Sequence, residues 1–262
     1  MSKRNWLNGL TIALLAGIAS LSPNLRGQQP GAPKAPTAKQ ADDTPDHQVR
    51  PAAADGKSEN DDMNIVYLTK DRDLWIDKKQ KQIVMKGIVA VREGNLEMFA
   101  CPQQSKEYES IVAVAPRDMA AVHAALLALG AKPGHPAKFN EKFIPADGTQ
   151  IDVAVRWTDK EGKKHESPAQ DWVRNMKTGK ALEYLWVFAG SGFFVDPDSK
   201  EQRYLANDGD FICVVNFSDA MLDLSIESPK AWSEHVFEPF TQRIPPKGTE
   251  VELVLTPKIE KK

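Results

Sequence analysis

Two cysteines in 262 residues is a small number. It excludes a disulfide-dense scaffold, and it excludes an iron–sulfur cluster held by the usual four thiolates. No cysteine or histidine has a second one two to five residues away, the spacing by which zinc sites usually announce themselves. Positive charge is not in excess either: 34 Lys and Arg stand against 36 Asp and Glu, for a net charge of -2. Nothing alternates basic with aromatic residues, so a nucleic-acid partner is not expected. Catalytic motifs are missing as well. Gly190-Ser-Gly192 has neither the G-x-S-x-G frame of a nucleophile elbow nor a Walker-type lysine, and strand-like residues follow it, so it reads as a hairpin turn or bulge. Asp196-Pro-Asp-Ser199 and Asn207-Asp-Gly-Asp210 lack the glycine and terminal glutamate of a calcium loop and read as turns.

Long apolar runs are absent except at the start. Lys3 and Arg4 precede the apolar run Leu10–Ala19, and small residues at Gly17 and Ala19 suit a cut after Ala19, with Gly27 as a second cut site. This is the pattern of a secretory signal peptide over residues 1–27. Leu7 to Leu21 falls short of the roughly 20 residues a spanning helix needs, which makes an uncleaved anchor the alternative. Export to the periplasm or cell envelope is therefore the expected localisation, with membrane contact confined to this segment. Residues 28–62 are rich in Pro, Ala, Asp and Lys and poor in large apolar side chains. They cannot bury enough surface to offset their ordering entropy, so a disordered linker is expected, with His47 a solvated side chain.

From Met63 to the end the sequence predicts one mainly β (α+β) domain, an antiparallel sandwich or barrel with one packed helix over about 116–129. Short apolar runs are separated by charged turns. Ile65–Leu68, Leu74–Ile76 and Ile83–Val91 read as strands, the last two forming a hairpin with Gly87 as a bulge. Leu96–Cys101 ends at Pro102, which has no amide hydrogen for a ladder. Ile111–Val114 feeds the helix, whose Met119, Val122, Leu126 and Leu129 recur as one apolar stripe closed by Gly130. His123 lies about 60° off that stripe at 100° per residue and should be partly covered. Strands are also expected over Ile151–Trp157, which Asp159-Lys-Glu-Gly162 turns back through Lys163 to Ser167, and over Tyr184–Ala189, Phe193–Val195, Arg203–Ala206, Phe211–Phe217 and Val251–Leu255, with Asp208-Gly209 as a hairpin turn and Ala220–Leu224 as a helical turn.

The runs Leu96–Cys101, His123–Pro136, Ala169–Arg174, Ala189–Phe193 and Asp210–Phe217 together resemble the YdjY-domain proteins, over roughly Asn64 to Pro257. The resemblance implies a bacterial chain, often exported, without a settled activity. It supplies no mechanism.

Candidate sites therefore rest on the residues themselves. Cys101 and Cys213 are open to three readings: a disulfide closing a loop of roughly 110 residues and stabilising by about 4–5 kcal/mol, two buried thiols, or a reactive pair. Cys101, His123, His135 and Cys213 are the candidate metal ligands. His123 equally suits helix packing, and His135 suits a turn between Gly134 and Pro136. Trp157, Trp172, Trp186 and Trp232 read as core and rim aromatics, with a carbohydrate platform as the alternative. No catalytic residue and no cofactor is indicated. The expectation is an exported, non-catalytic domain that binds an envelope protein or ligand, or acts in assembly. The alternative is a thiol- or metal-dependent envelope protein built on those four residues.

Overall fold

The computed structural model describes residues 50–51, 63–140, 142–227 and 236–259, all within a unit spanning His47–Lys262. The expected signal peptide, most of the expected linker, His47 and Trp232 lie outside the described residues.

Twelve strands form one sheet. In chain order they are β1 (Arg50–Pro51), β2 (Ile65–Tyr67), β3 (Leu74–Asp77), β4 (Gln82–Val89), β5 (Met98–Pro102) and β6 (Ser110–Val114). After helix α1 (Met119–Ala128) come β7 (Gln150–Thr158), β8 (Lys164–Pro168), β9 (Trp186–Phe188), β10 (Ile212–Cys213), β11 (Leu222–Leu224) and β12 (Glu250–Pro257). Pairing runs β12–β4–β6–β5–β10–β11–β9–β7 and returns to β12, so these eight strands close a barrel. The remaining four are flaps: β3 and β2 continue from β4, and β8 and β1 continue from β7. A two-residue strand of the expected linker thus adds to the edge of β8, with Arg50 opposite Glu166.

The mainly β reading with one packed helix holds, but the sheet is not wholly antiparallel. β5 runs parallel to β6, and β10 runs parallel to β11. Inside the barrel Ile83, Met85, Val155, Leu253 and Leu255 meet Phe99, Trp172 and Trp186 in one apolar cluster. Such a cluster is what alternation along β4, β7 and β12 demands, because every second side chain must face the interior. Helix α1 starts at Asp118, whose side chain accepts the Ala120 amide, while Asn207 Oδ1 accepts the Met119 amide at 2.8 Å. Its buried face is Met119, Val122, Ala125 and Leu126, with Leu129 partly covered at the cap.

Four local expectations are corrected. Gly87 is no bulge, since β4 keeps continuous register with β12 across it. It is glycine because β6 passes so close that a Cβ would stand 2.8 Å from the Ala113 carbonyl oxygen. Asp208-Gly209 makes no hairpin: Leu205–Asp208 is a 3-10 turn, and the strand before it, Gln202–Tyr204, pairs back with Phe193–Val195. Gly190-Ser-Gly192 is therefore a connector into that ribbon rather than a turn between paired strands. Ala220–Leu224 is not helical, because Leu222–Leu224 is β11 in the barrel wall.

Candidate functional site

The two cysteines sit on adjacent strands and are both free, fully buried thiols. Cys213 lies opposite Met98, three residues along β5 from Cys101. At about 3.3 Å per residue that separates the Cα atoms by roughly 10 Å, beyond the about 7 Å over which a disulfide can be made. The bond weighed from the sequence is therefore not formed. Burial raises both thiols above their ordinary pKa, and the nearby carboxyls of Asp210 and Asp223 push Cys213 further. Neither is a ready thiolate at neutral pH.

The histidines are occupied elsewhere. Tyr204 donates its hydroxyl to the Gly190 carbonyl oxygen at 2.9 Å, so at 2.9 Å from His123 Nδ1 it must act as acceptor. This assigns the proton to His123 Nδ1. The ring meets Phe188 and Tyr204 edge-on, and desolvation lowers its pKa, slightly offset by the Gly190 backbone. His135 sits on a small ribbon, Pro133–His135 against Asp147–Gly148, with Nδ1 2.9 Å from the Pro136 carbonyl oxygen. Among the described residues no group of three or more His, Cys, Asp or Glu side chains is arranged to hold a metal ion. The tryptophans are divided: Trp172 and Trp186 are core, while Trp157 stacks its face on His165.

The large concave surface lies on the outside of the barrel, over β4, β12, β7 and β8. It is a groove of about 1680 Å³. Its floor is set by register. Lys86 of β4 stands opposite Glu252 of β12, Glu252 opposite Arg156 of β7, and Arg156 opposite Glu166 of β8. Charge thus alternates across four strands at the spacing of the sheet, about 4.8 Å per step. Opposite charges at such cross-strand positions favour this one register. Arg156 donates through Nε to Glu166 at 2.6 Å and through Nη2 to Gln82 at 3.1 Å, which fixes its guanidinium. The groove lining carries six carboxylates (Asp152, Glu166, Asp171, Glu183, Glu250, Glu252) against the cations Lys86, Arg156 and Lys164. Glu166, Asp152 and Asp171 have ion-pair partners, whereas Glu250 and Glu252 make no ion pair among the described residues. The result is a trough on a continuous sheet, mixed apolar and charged in its lining and net acidic. Sequence reading missed it because outward residues of β7 and β12 look like ordinary solvated positions until pairing aligns them.

A second polar feature lies in the barrel wall beside Cys213. Asp223 of β11 is completely buried. Its Oδ1 accepts the Leu224 amide at 2.8 Å and Asn216 Nδ2 at 3.0 Å, while Oδ2 has no partner. Asp210, also buried, takes Lys106 Nζ at 2.6 Å, and that ammonium lies over the Phe217 ring. Burial opposes charge on Lys106, yet the bond to Asp210 and the negative charge of Asp210 and Glu109 together outweigh it and hold the pKa above its usual value. Burial and the neighbouring Asp210 raise Asp219. Burial drives Asp223 up to about 7.

Closed barrel, flanking flaps, enclosed thiols and outer trough describe a β-barrel domain with a net acidic groove on its wall. The YdjY domain model matches residues 74–256, the flap strand β3 and all of the barrel but the last residue of β12, and the chain belongs to that family. No curated protein and no solved structure matches the chain.

Proposed function

We propose that this chain is an exported, non-catalytic binding domain of the cell envelope, and that its ligand is an extended polar segment carrying positive charge, seated in the outer groove. The observation that carries the reading is the groove floor on β4, β12 and β7, where Glu250 and Glu252 stand without ion pairs on a rigid sheet. A preformed surface of this kind loses little conformational freedom on binding, and complementary charge speeds encounter. A thiol- or metal-based activity has less support, because it needs an open thiolate and both sulfurs are enclosed.

The test is a titration of the purified chain with two extended nonapeptides, one Lys/Arg-rich and one Asp/Glu-rich, read by amide hydrogen exchange. The basic peptide should protect β7 and β12 and release them as salt rises; the Glu250→Lys/Glu252→Lys variant should lose the effect. Equal responses to the two peptides, or none, would sink the proposal. Export is checked separately by N-terminal sequencing of the envelope fraction. A start at Ser20 or Gln28 supports cleavage, and an intact N-terminus in the membrane fraction supports the anchor.

A further inference from the structure

The buried carboxyl of Asp223 plays no part in the groove, and it sits where the barrel is thinnest. β10 contributes two residues and β11 three, so the wall between β5 and β9 depends on few ladder bonds. The loop joining them is held from both ends. Met221 and Leu222 donate their amides to the carbonyl oxygens of Asp210 and Phe211 at 2.9 and 2.8 Å. On the other side, Gly190 and Ser191 donate amides to Met221 and Ala220, and the Ser191 hydroxyl donates to the Asp219 carbonyl oxygen at 2.6 Å. Within the segment, Asn216 reaches from its own loop to both Asp223 Oδ1 and the Leu224 carbonyl oxygen. Asp223 and Asn216 therefore tie the loop to the wall.

We propose that Asp223 is a proton-operated latch: protonated, it keeps the segment Asp210–Leu224 docked in the barrel wall, and ionised, it lets that segment open and exposes Cys213 to solvent. The surroundings are the reason. The amides of Leu224, Asn216 and Phe217 favour the charged form, but the carboxyl is fully enclosed and its Oδ2 has no hydrogen-bond donor, so the cost of burying the charge outweighs them. The titratable groups that face it are Asp210 and the Cys213 thiol, with Asp219 close to Asp210. The nearby cation, Lys106, is already committed to Asp210 at 2.6 Å. Across the ladder its neighbour is Val187, which offers nothing polar. A pKa near 7 then puts the change within the range an unbuffered envelope compartment visits. Opening would also free Gly190 and Ser191. Through the Gly190 carbonyl oxygen it would loosen the Tyr204–His123 pair and the Phe193–Val195 ribbon beside it.

Cys213 is a built-in reporter. In the full chain carrying Cys101→Ser it is the sole thiol, and its reaction with 4,4′-dithiodipyridine can be followed from pH 5 to 9 under native conditions. Rates are divided by those of the denatured chain at each pH, which removes the intrinsic titration of the thiol. The normalised rate should rise about tenfold or more across neutrality, in line with one proton governing the opening, and Asp223→Asn on the same background should flatten it. A flat profile in the parent, or an equal rise with Asn at 223, would overturn the latch. Should either variant fail to fold, hydrogen exchange of the unaltered chain decides the matter. Loss of protection with rising pH confined to residues 210–224 and 190–191 supports the latch, and a loss shared equally by β7 and β12 contradicts it.

Discussion

Asp223 has a thermodynamic signature as well as a conformational one. Its native pKa of about 7 lies above the unfolded carboxyl value near 3.9, so between those limits the folded chain holds the extra proton. Its contribution to stability is therefore fully present below about pH 4 and is lost as pH rises through 7. At about 1.4 kcal/mol per unit the loss is on the order of 4 kcal/mol. Urea unfolding of the parent and of Asp223→Asn at pH 4 and pH 8 should show the parent losing about that much more than the variant between the two conditions. Parallel losses would place the titration elsewhere. The sequence held a hint of this residue: an aspartate between Leu222 and Leu224 in an apolar run is costly if buried. The hint was unreadable while the run was taken for a helical turn, which would have pointed the side chain to solvent. His123 was legible to a useful degree. Its offset from the helix stripe predicted partial cover, and the structure gives it an aromatic cage and a tyrosine partner.

At the scale of the element, what sequence reading missed was partner choice. Each strand of the β3–β4 and β7–β8 hairpins finds its partner next door, across turns rich in Asp, Lys and Gly, and both hairpins were legible. β10 and β11 obtain their place from β5 and β9, more than 20 residues away in sequence, so no local signal could fix their length or their parallel pairing. Asp208-Gly209 illustrates the point. The dipeptide favours a hairpin turn, yet the strand before it had already paired with Phe193–Val195. Gly87 is the converse case, a residue whose reason lies wholly in a neighbour. A Cβ there would press on the Ala113 carbonyl, and backbone cannot step aside as a side chain can. Gly87→Val should therefore cost about 1–3 kcal/mol, the range for overpacking, read as a shift in urea midpoint. A change below half a kcal/mol would mean that β6 is not held as tightly as its ladder implies.

For the whole molecule, the class of fold was in the sequence and the closure was not. Alternation gave strands and the 3.6-residue stripe gave the helix, whereas Arg50–Pro51, expected within a linker, pairs at the edge of β8. A sandwich and a barrel use the same alternation, so only pairing separates them. The pairing that matters is that of β12, which lies between β4 and β7 and contributes Val251, Leu253 and Leu255 to the core. Truncation after Pro246 should leave both strands with open edges and an unfilled interior. Near-ultraviolet circular dichroism and a thermal scan should then show neither fixed tertiary packing nor a cooperative transition. A folded truncated chain would show that the barrel does not need its last stave.

That stave is also synthesised after the other eleven strands of the sheet. The ring cannot close while residues 250–257 are still within the ribosome, and until then β4 and β7 each keep an open edge. Contacts between strands about 170 residues apart place folding late and make it slow, in the range typical of all-β topologies. A barrel built in this order closes only after its twelfth strand has emerged, so the wall is completed in one late step.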